Sequence, residues 1–317
     1  MDAMRSAVLA LSCLALSEAG AACAQEYPYK PVRIVTSEAG GGGDFAARLI
    51  GQALAASLGK QFVVENRPSL AAELVAKASA DGYTLMIYGN TVWITPLMRK
   101  AGWDPLKDFA PITLTVRAPN VLAVNPQLPA QSVRDLVELA KAKPGALNYG
   151  STATGSSTHL AAELFNAMAH VNITRINYKG VALAVNDIIG GRVQLMFANA
   201  SSVMPHVKTG RLRALAVTSA QPTALFPGMP TVSASGVPGY ESSAQFGMFA
   251  PAKTPATIVA RIHRATLEVL AQADVKEKFF NAGADVVGNT PAEFAAFLKS
   301  ETVKWTKVIK DAGIHED

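Results

Sequence analysis

The sequence predicts an α/β protein built as a hinged clamp of two lobes, and three observations lead there. Short apolar, β-rich runs alternate with helical periodicity through most of the 317 residues. The alternation forms two successive series, and a late extended stretch, "GVPGYESSAQFGMFAPAKTP", runs back between them. About half of the residues are apolar and charges are sparse, a composition that buries a substantial core and suits two domains.

In the first series "VRIVTS" precedes a helix expected from Asp44 to Leu58 and closed by Gly59. "FVVEN", a helix near 72–80 and "TLMIYG" follow. Continuous apolar strands of this kind predict a mostly parallel sheet covered on both faces. "PNVLAVNP" at 119–126 reads as a strand leaving this unit. The second series is helix 132–142, "LNYGS", helix 156–169, "ITRINY", helix 181–189, "VQLMFAN" and "LRALAVTS". Two helices end the chain, with Thr254-Pro255 and Thr290-Pro291 marking their starts and Glu293 completing a capping box. Their apolar faces need a sheet, and the simplest arrangement returns them to the first unit. The expected organisation is residues 25–124 with 245–317 in one lobe and 125–244 in the other.

Residues 1–24 read as an export signal, with "AVLALSCLAL" after Arg5 and an A-x-A pattern ending at Ala24. Cleavage there removes Cys13 and Cys23, leaving no thiol for disulfides, catalysis or metal. It also removes one base and two acids, so the net charge moves from +5 to +6. A mildly basic exported protein draws small anions. The basic residues are scattered singly, which argues against nucleic acid.

Ligands in open α/β sheets bind beyond the carboxyl ends of strands, so the strand-to-helix loops hold the candidate site. In "TSEAGGGGD" glycines can turn backbone N–H groups towards an anion at a helix N-terminus, with Asp44 expected as the N-cap. Neither a dinucleotide fingerprint nor a P-loop fits, because Phe45 stands where a small residue is needed and no Lys-Ser/Thr pair follows. "YGSTATGSSTHL" offers a row of hydroxyls before a helix, able to bind a carboxylate without a fixed charge. Tyr178 in "INYKG", Asn199 in "LMFANASS" and Asn90 with Thr91 in "YGNTVW" also end strands, while Lys179 suits a solvated charge and Trp93 either the cleft wall or the core. There is no G-x-S-x-G elbow, no H-E-x-x-H and no paired metal-ligand spacing, and His159 at a first helical turn suits a structural role. No enzyme, metal or cofactor is expected.

"YPYKPVRIV", "VENRP", "DGYTL", "WDPLKDFAPIT", "LNYGSTATGSSTHLAAELF", "GGRVQLMFANASSVMPHVKTGRLRALAVTSA" and "KWTKVIKDAGI" resemble the substrate-binding proteins of tripartite tricarboxylate transporters, the Bug-type receptors. The resemblance covers nearly the whole mature chain. It implies a periplasmic-binding-protein-like (type II) clamp of two α/β lobes joined by two crossover strands. It implies also a periplasmic receptor, a monomer, that closes over a small organic acid or amino-acid-like ligand and presents it to membrane transporter subunits. By position it implies a cleft lined by Ser37, Glu38, Ala39, Gly40, Gly41, Asn90, Thr91, Ser151, Thr152, Thr154, Gly155, Ser156, Ser157, Tyr178 and Asn199. This chain departs from the family where Ser37 and Glu38 replace an aromatic motif, and where "SLAAELVAKA" replaces a second glycine-rich loop. The same fold and cleft would also suit a ligand sensor for a membrane histidine kinase, and the Ser156 and His159 loop an exported hydrolase.

Overall fold

The computed structural model describes residues 27–68, 70–312 and 314, so the export signal read at 1–24 lies outside the described residues. Strand β1 (Val32–Thr36) leads into helix α1 (Gly42–Leu58), whose Ala46, Ala47, Ile50 and Leu54 are fully buried with Val32 and Ile34. Burying each Ile or Leu of this stripe contributes about 1.5–3 kcal/mol. Gly59 closes the helix with a left-handed backbone. Then come β2 (Phe62–Asn66), α2 (Ala71–Ala76), β3 (Thr84–Tyr88) and α3 (Thr91–Met98). Both β2 and β3 pair parallel with β1.

β4 (Phe109–Val124) spans 16 residues and joins the two halves of the sheet. It precedes α4 (Val133–Ala142), β5 (Asn148–Ser151), α5 (Ser157–Ala169), β6 (Thr174–Asn177), α6 (Val181–Ile189), β7 (Leu195–Asn199), α7 (Ala200–Lys208) and β8 (Arg213–Val217). The chain returns as β9 (Ser243–Pro251), followed by α8 (Ala256–Ala271), α9 (Ala273–Asn281), β10 (Asp285–Val286) and α10 (Pro291–Ala312). The strand order is β2-β1-β3-β9-β4-β7-β5-β6, with β8 and β10 also pairing β4. From Phe109 to Pro119 β4 pairs antiparallel with β9; from Asn120 onward it pairs antiparallel with β7. The outer pairs of each half are parallel, as expected, but β9 and β4 make the centre antiparallel, so the sheet is mixed. Thr290 and Glu293 form the expected capping box at the start of α10. α9, separated from α8 by an extended Gln272, is a third helix where two were expected. Among the described residues no helix is long and apolar enough to cross a membrane.

Candidate functional site

The glycine loop leaves β1 at Thr36, whose hydroxyl donates to the Ile87 carbonyl at 2.7 Å and ties β1 to β3 at their carboxyl ends. Gly40 is left-handed (φ 78°), and its N–H donates to Asp44 Oδ2 at 3.0 Å. Helix α1 begins two residues earlier than expected: Gly41 is the N-cap, and Asp44 sits one turn in, folding its carboxylate back over the helix start. The first helical bond is Phe45 N–H to the Gly41 carbonyl, leaving the amides of Gly42, Gly43 and Asp44 without a partner among the described residues. Burial raises the Asp44 pKa, but hydrogen bonds from Arg48, Gly40 and Asn66 outweigh it and hold the carboxyl below its ordinary value. The Phe246 ring explains the next glycine, since a Cβ on Gly42 would stand 2.7 Å from its Cζ. One on Gly43 would stand 2.6 Å from Ser37 Oγ. Glu38 and Ala39 are exposed, with the Glu38 carboxylate lying over Gly41.

The Ser/Thr loop after β5 is organised by Arg175, whose charge no loop-based reading supplied. Its Nε donates to Ser151 Oγ at 2.8 Å, Nη1 to Thr154 Oγ1 at 3.0 Å and Nη2 to the Thr152 carbonyl at 2.7 Å. Thr152, Ser156 and Thr158 hydroxyls interlock at 3.0–3.2 Å. Ser156 is the N-cap of α5, and Ser157 and Thr158 keep amides with no partner among the described residues. His159 Nδ1 accepts the Gly155 N–H at 3.1 Å. Burial and then the Arg175 charge push its pKa down to about 3, so it is a neutral structural group.

The remaining loops divide. Asn199 ends β7 opposite Asn120 of β4, and both carry a buried amide oxygen with no partner among the described residues. The Asn120 amide donates to the Ser157 carbonyl at 3.2 Å, which fixes which end is oxygen. Asn90 is buried and spends its side chain on β9, donating to the Ser243 carbonyl at 3.3 Å and accepting the Gln245 N–H at 3.1 Å. Tyr178 donates its hydroxyl to Asp187 Oδ2 at 2.8 Å, away from any ligand role as a free donor. Trp93 is fully buried and fills core.

A single strand face ties the two helix starts together. Phe246 is the register partner of Val116, and Ala244 of Ala118, while Asn199 is that of Asn120. Alternation puts all of these on one face. Phe246 holds the start of α1 and Asn120 the start of α5, and four strand residues separate Val116 from Asn120, about 13 Å. The small Ala118 and Ala244 lie between. Among the described residues no group of three His, Cys, Asp or Glu could hold a metal.

The sequence model of the tripartite tricarboxylate transporter family receptor matches residues 46–314. The chain belongs to this family. BugT of Bordetella pertussis is 34% identical over 298 residues, covering 92% of this chain and 91% of that protein. Rpa4515 of R. palustris, solved with adipate, is 37% identical with a TM-score of 0.83, covering 92% of this chain and 99% of the other. MatC from Rhodopseudomonas palustris, with bound malate, is 28% identical with a TM-score of 0.79 over 89% of this chain and 100% of the other. The receptor is thus a solute-binding protein of a transport system, in a two-lobed clamp fold, and not an enzyme. Its glycine loop lies just before the matched range, whereas the "SLAAELVAKA" segment lies within it.

Of the residues proposed for the receptor's cleft, Ser151, Thr152, Thr154 and Ser156 form one network through Arg175 and their hydroxyls, and the adjoining Ser157 carbonyl separately accepts from Asn120. Gly40 and Gly41 form the start of α1, and Asn199 adds an unpartnered oxygen. Thr91 is the first residue of α3, and Gly155 is buried against Met98. Arg175, Asn120 and Phe246 were missed. Arg175 stood out only as a lone charge in "ITRINY", whereas Asn120 and Phe246 carry no local signal.

Proposed function

We propose that the receptor captures a small carboxylate-bearing solute between lobes 25–124 with 245–317 and 125–244, and delivers it to transporter subunits. It acts in the periplasm as a monomer, after removal of residues 1–24. The observation that carries this reading is the pair of helix starts, α1 and α5, each offering unpartnered amides at the carboxyl end of a strand. Two such sites on one strand face suit a molecule with an acid at each end, and the adipate and malate bound by two relatives are of that kind.

The two ends differ chemically. At α5 the Arg175 charge lies behind the loop, anchoring it and adding positive potential. At α1 Asp44 already uses the Gly40 amide, its charge offset by Arg48 at 2.9 Å, and the exposed Glu38 overhangs Gly41, so that end holds an acid by dipole and amides against the Glu38 carboxylate. Binding is therefore stronger at the α5 end. A thermal-shift series of mono- and dicarboxylates, amino acids and aromatic acids tests the reading. A true ligand at about a hundred times its Kd adds roughly 2.7 kcal/mol of stability. Absence of a shift with every acid contradicts it. Glu38→Gln should tighten a plain dicarboxylate by several fold, as relief of one exposed like-charge contact allows.

A further inference from the structure

Behind the cleft floor, on the opposite face of β9 from Phe246, a polar cavity of about 230 Å³ lies between the central strands and α10. Arg117 of β4, with Ser243 and Gln245 of β9, forms one side; Glu301, Lys304 and Trp305 of α10 form the other, and Glu241 borders it. Ser243 and Gln245 are 5% and 6% exposed. Yet Arg117 Nε, Ser243 Oγ and Gln245 Oε1 have no hydrogen-bond partner among the described residues. Buried polar atoms are rarely left so, and here donors and an acceptor line one space.

The charges that line it balance, Arg117 and Lys304 against Glu241 and Glu301, while Asp285 of β10, the register partner of Arg117, acts on that guanidinium from outside the lining. They stand apart rather than paired directly: Arg117 Nη1 is 4.0 Å from Glu241, and Lys304 Nζ is 3.6 Å from Glu301. Direct charge-assisted bonds close to about 2.7–2.9 Å. Lys304 instead donates to the Glu241 carbonyl at 3.2 Å, while the Trp305 indole N–H donates to Glu301 at 2.9 Å. A neutral ring of separated charges gains little from a lone anion or cation, but it aligns a molecule carrying both signs. We propose that this cavity is a second ligand site that takes a small zwitterion of amino-acid size. Its carboxylate meets Arg117 Nε and the Ser243 hydroxyl, and its ammonium meets Gln245 Oε1 and the Glu241 and Glu301 carboxylates. Trp305 and Phe297 flank the carbon skeleton.

Glycine, alanine and β-alanine titrated into the purified mature protein test the site by calorimetry and by tryptophan fluorescence. Saturable heat is expected, with a fluorescence change that Trp305→Phe removes. Ser243→Ala and Gln245→Leu should each weaken binding about tenfold or more, the loss expected for one hydrogen bond to a charged group. Circular dichroism checks folding, and Ser243→Ala, a single-atom truncation, serves if the larger change does not fold. A crystal grown with glycine should show it in the cavity. No binding by any of the three zwitterions, affinity unaltered in both variants, equal binding of acetate, or ordered water alone in the cavity would each overturn the proposal.

Discussion

Replacing Arg175 with methionine removes the charge that organises the loop between β5 and α5. Three bonds at 2.8, 3.0 and 2.7 Å are lost together, and the fully buried Ser151 keeps only a long contact to the Thr152 carbonyl at 3.4 Å. Each hydrogen bond to a charged group contributes roughly 1.5–3 kcal/mol, but these share one half-buried guanidinium and do not add, so a loss of about 2–4 kcal/mol is expected. The change also acts on His159, whose pKa of about 3 reflects burial first and Arg175 second. Because the native state holds this group neutral while the unfolded chain protonates near pH 6.5, stability falls as pH drops below that value. The wild-type loss from this one group reaches about 2 kcal/mol by pH 5. Without Arg175 the His159 pKa rises, so the decline levels off at a higher pH. Urea unfolding followed by circular dichroism from neutral to acid pH measures both effects, with His159→Asn as the control lacking this proton. A neutral-pH loss under about 0.5 kcal/mol, within the range of ordinary surface changes, would refute the organising role of Arg175.

Gly42→Ala should destabilise by about 1–3 kcal/mol, since its methyl meets the Phe246 ring at 2.7 Å, and Phe246→Leu should recover part of that in a double-mutant cycle. The lowered Asp44 pKa means its stabilising effect is present at neutral pH and disappears as pH falls through the lowered value; Asp44→Asn should flatten that limb in acid titrations of stability. Asn90→Leu leaves the Gln245 N–H and the Ser243 carbonyl unpaired, and urea unfolding should register a cost of roughly 2–4 kcal/mol. Tyr178→Phe should cost no more than about 1.5 kcal/mol and leave ligand affinity unchanged by calorimetry, because the hydroxyl is committed to Asp187.

The short apolar strands and the glycine-closed α1 were legible because periodicity and local turn chemistry act over a few residues. The first half of β4 was not. Pro111 and Pro119 argue against a strand, but a register shift after Pro111 and the end of the β9 ladder at Pro119 accommodate them. Helices α3 and α7 were hidden by Pro96 and Pro205 inside them. The site was legible as a set of loops, since glycines and hydroxyls before a helix announce their backbone chemistry. Which side chains serve those loops was not legible. Asn90 and Tyr178 look like free donors until β9 and α6 supply partners, and Arg175 reaches the Ser/Thr loop only through the parallel register of β5 with β6.

A crystal structure of the receptor with a short straight-chain dicarboxylate tests the central claim most directly. One carboxylate should lie at about 2.7–3.1 Å from the amides of Gly42 and Gly43, and the other at the same range from those of Ser157 and Thr158. Density for the ligand away from both helix starts, or carboxylates held only by side-chain cations with those amides unused, would contradict it.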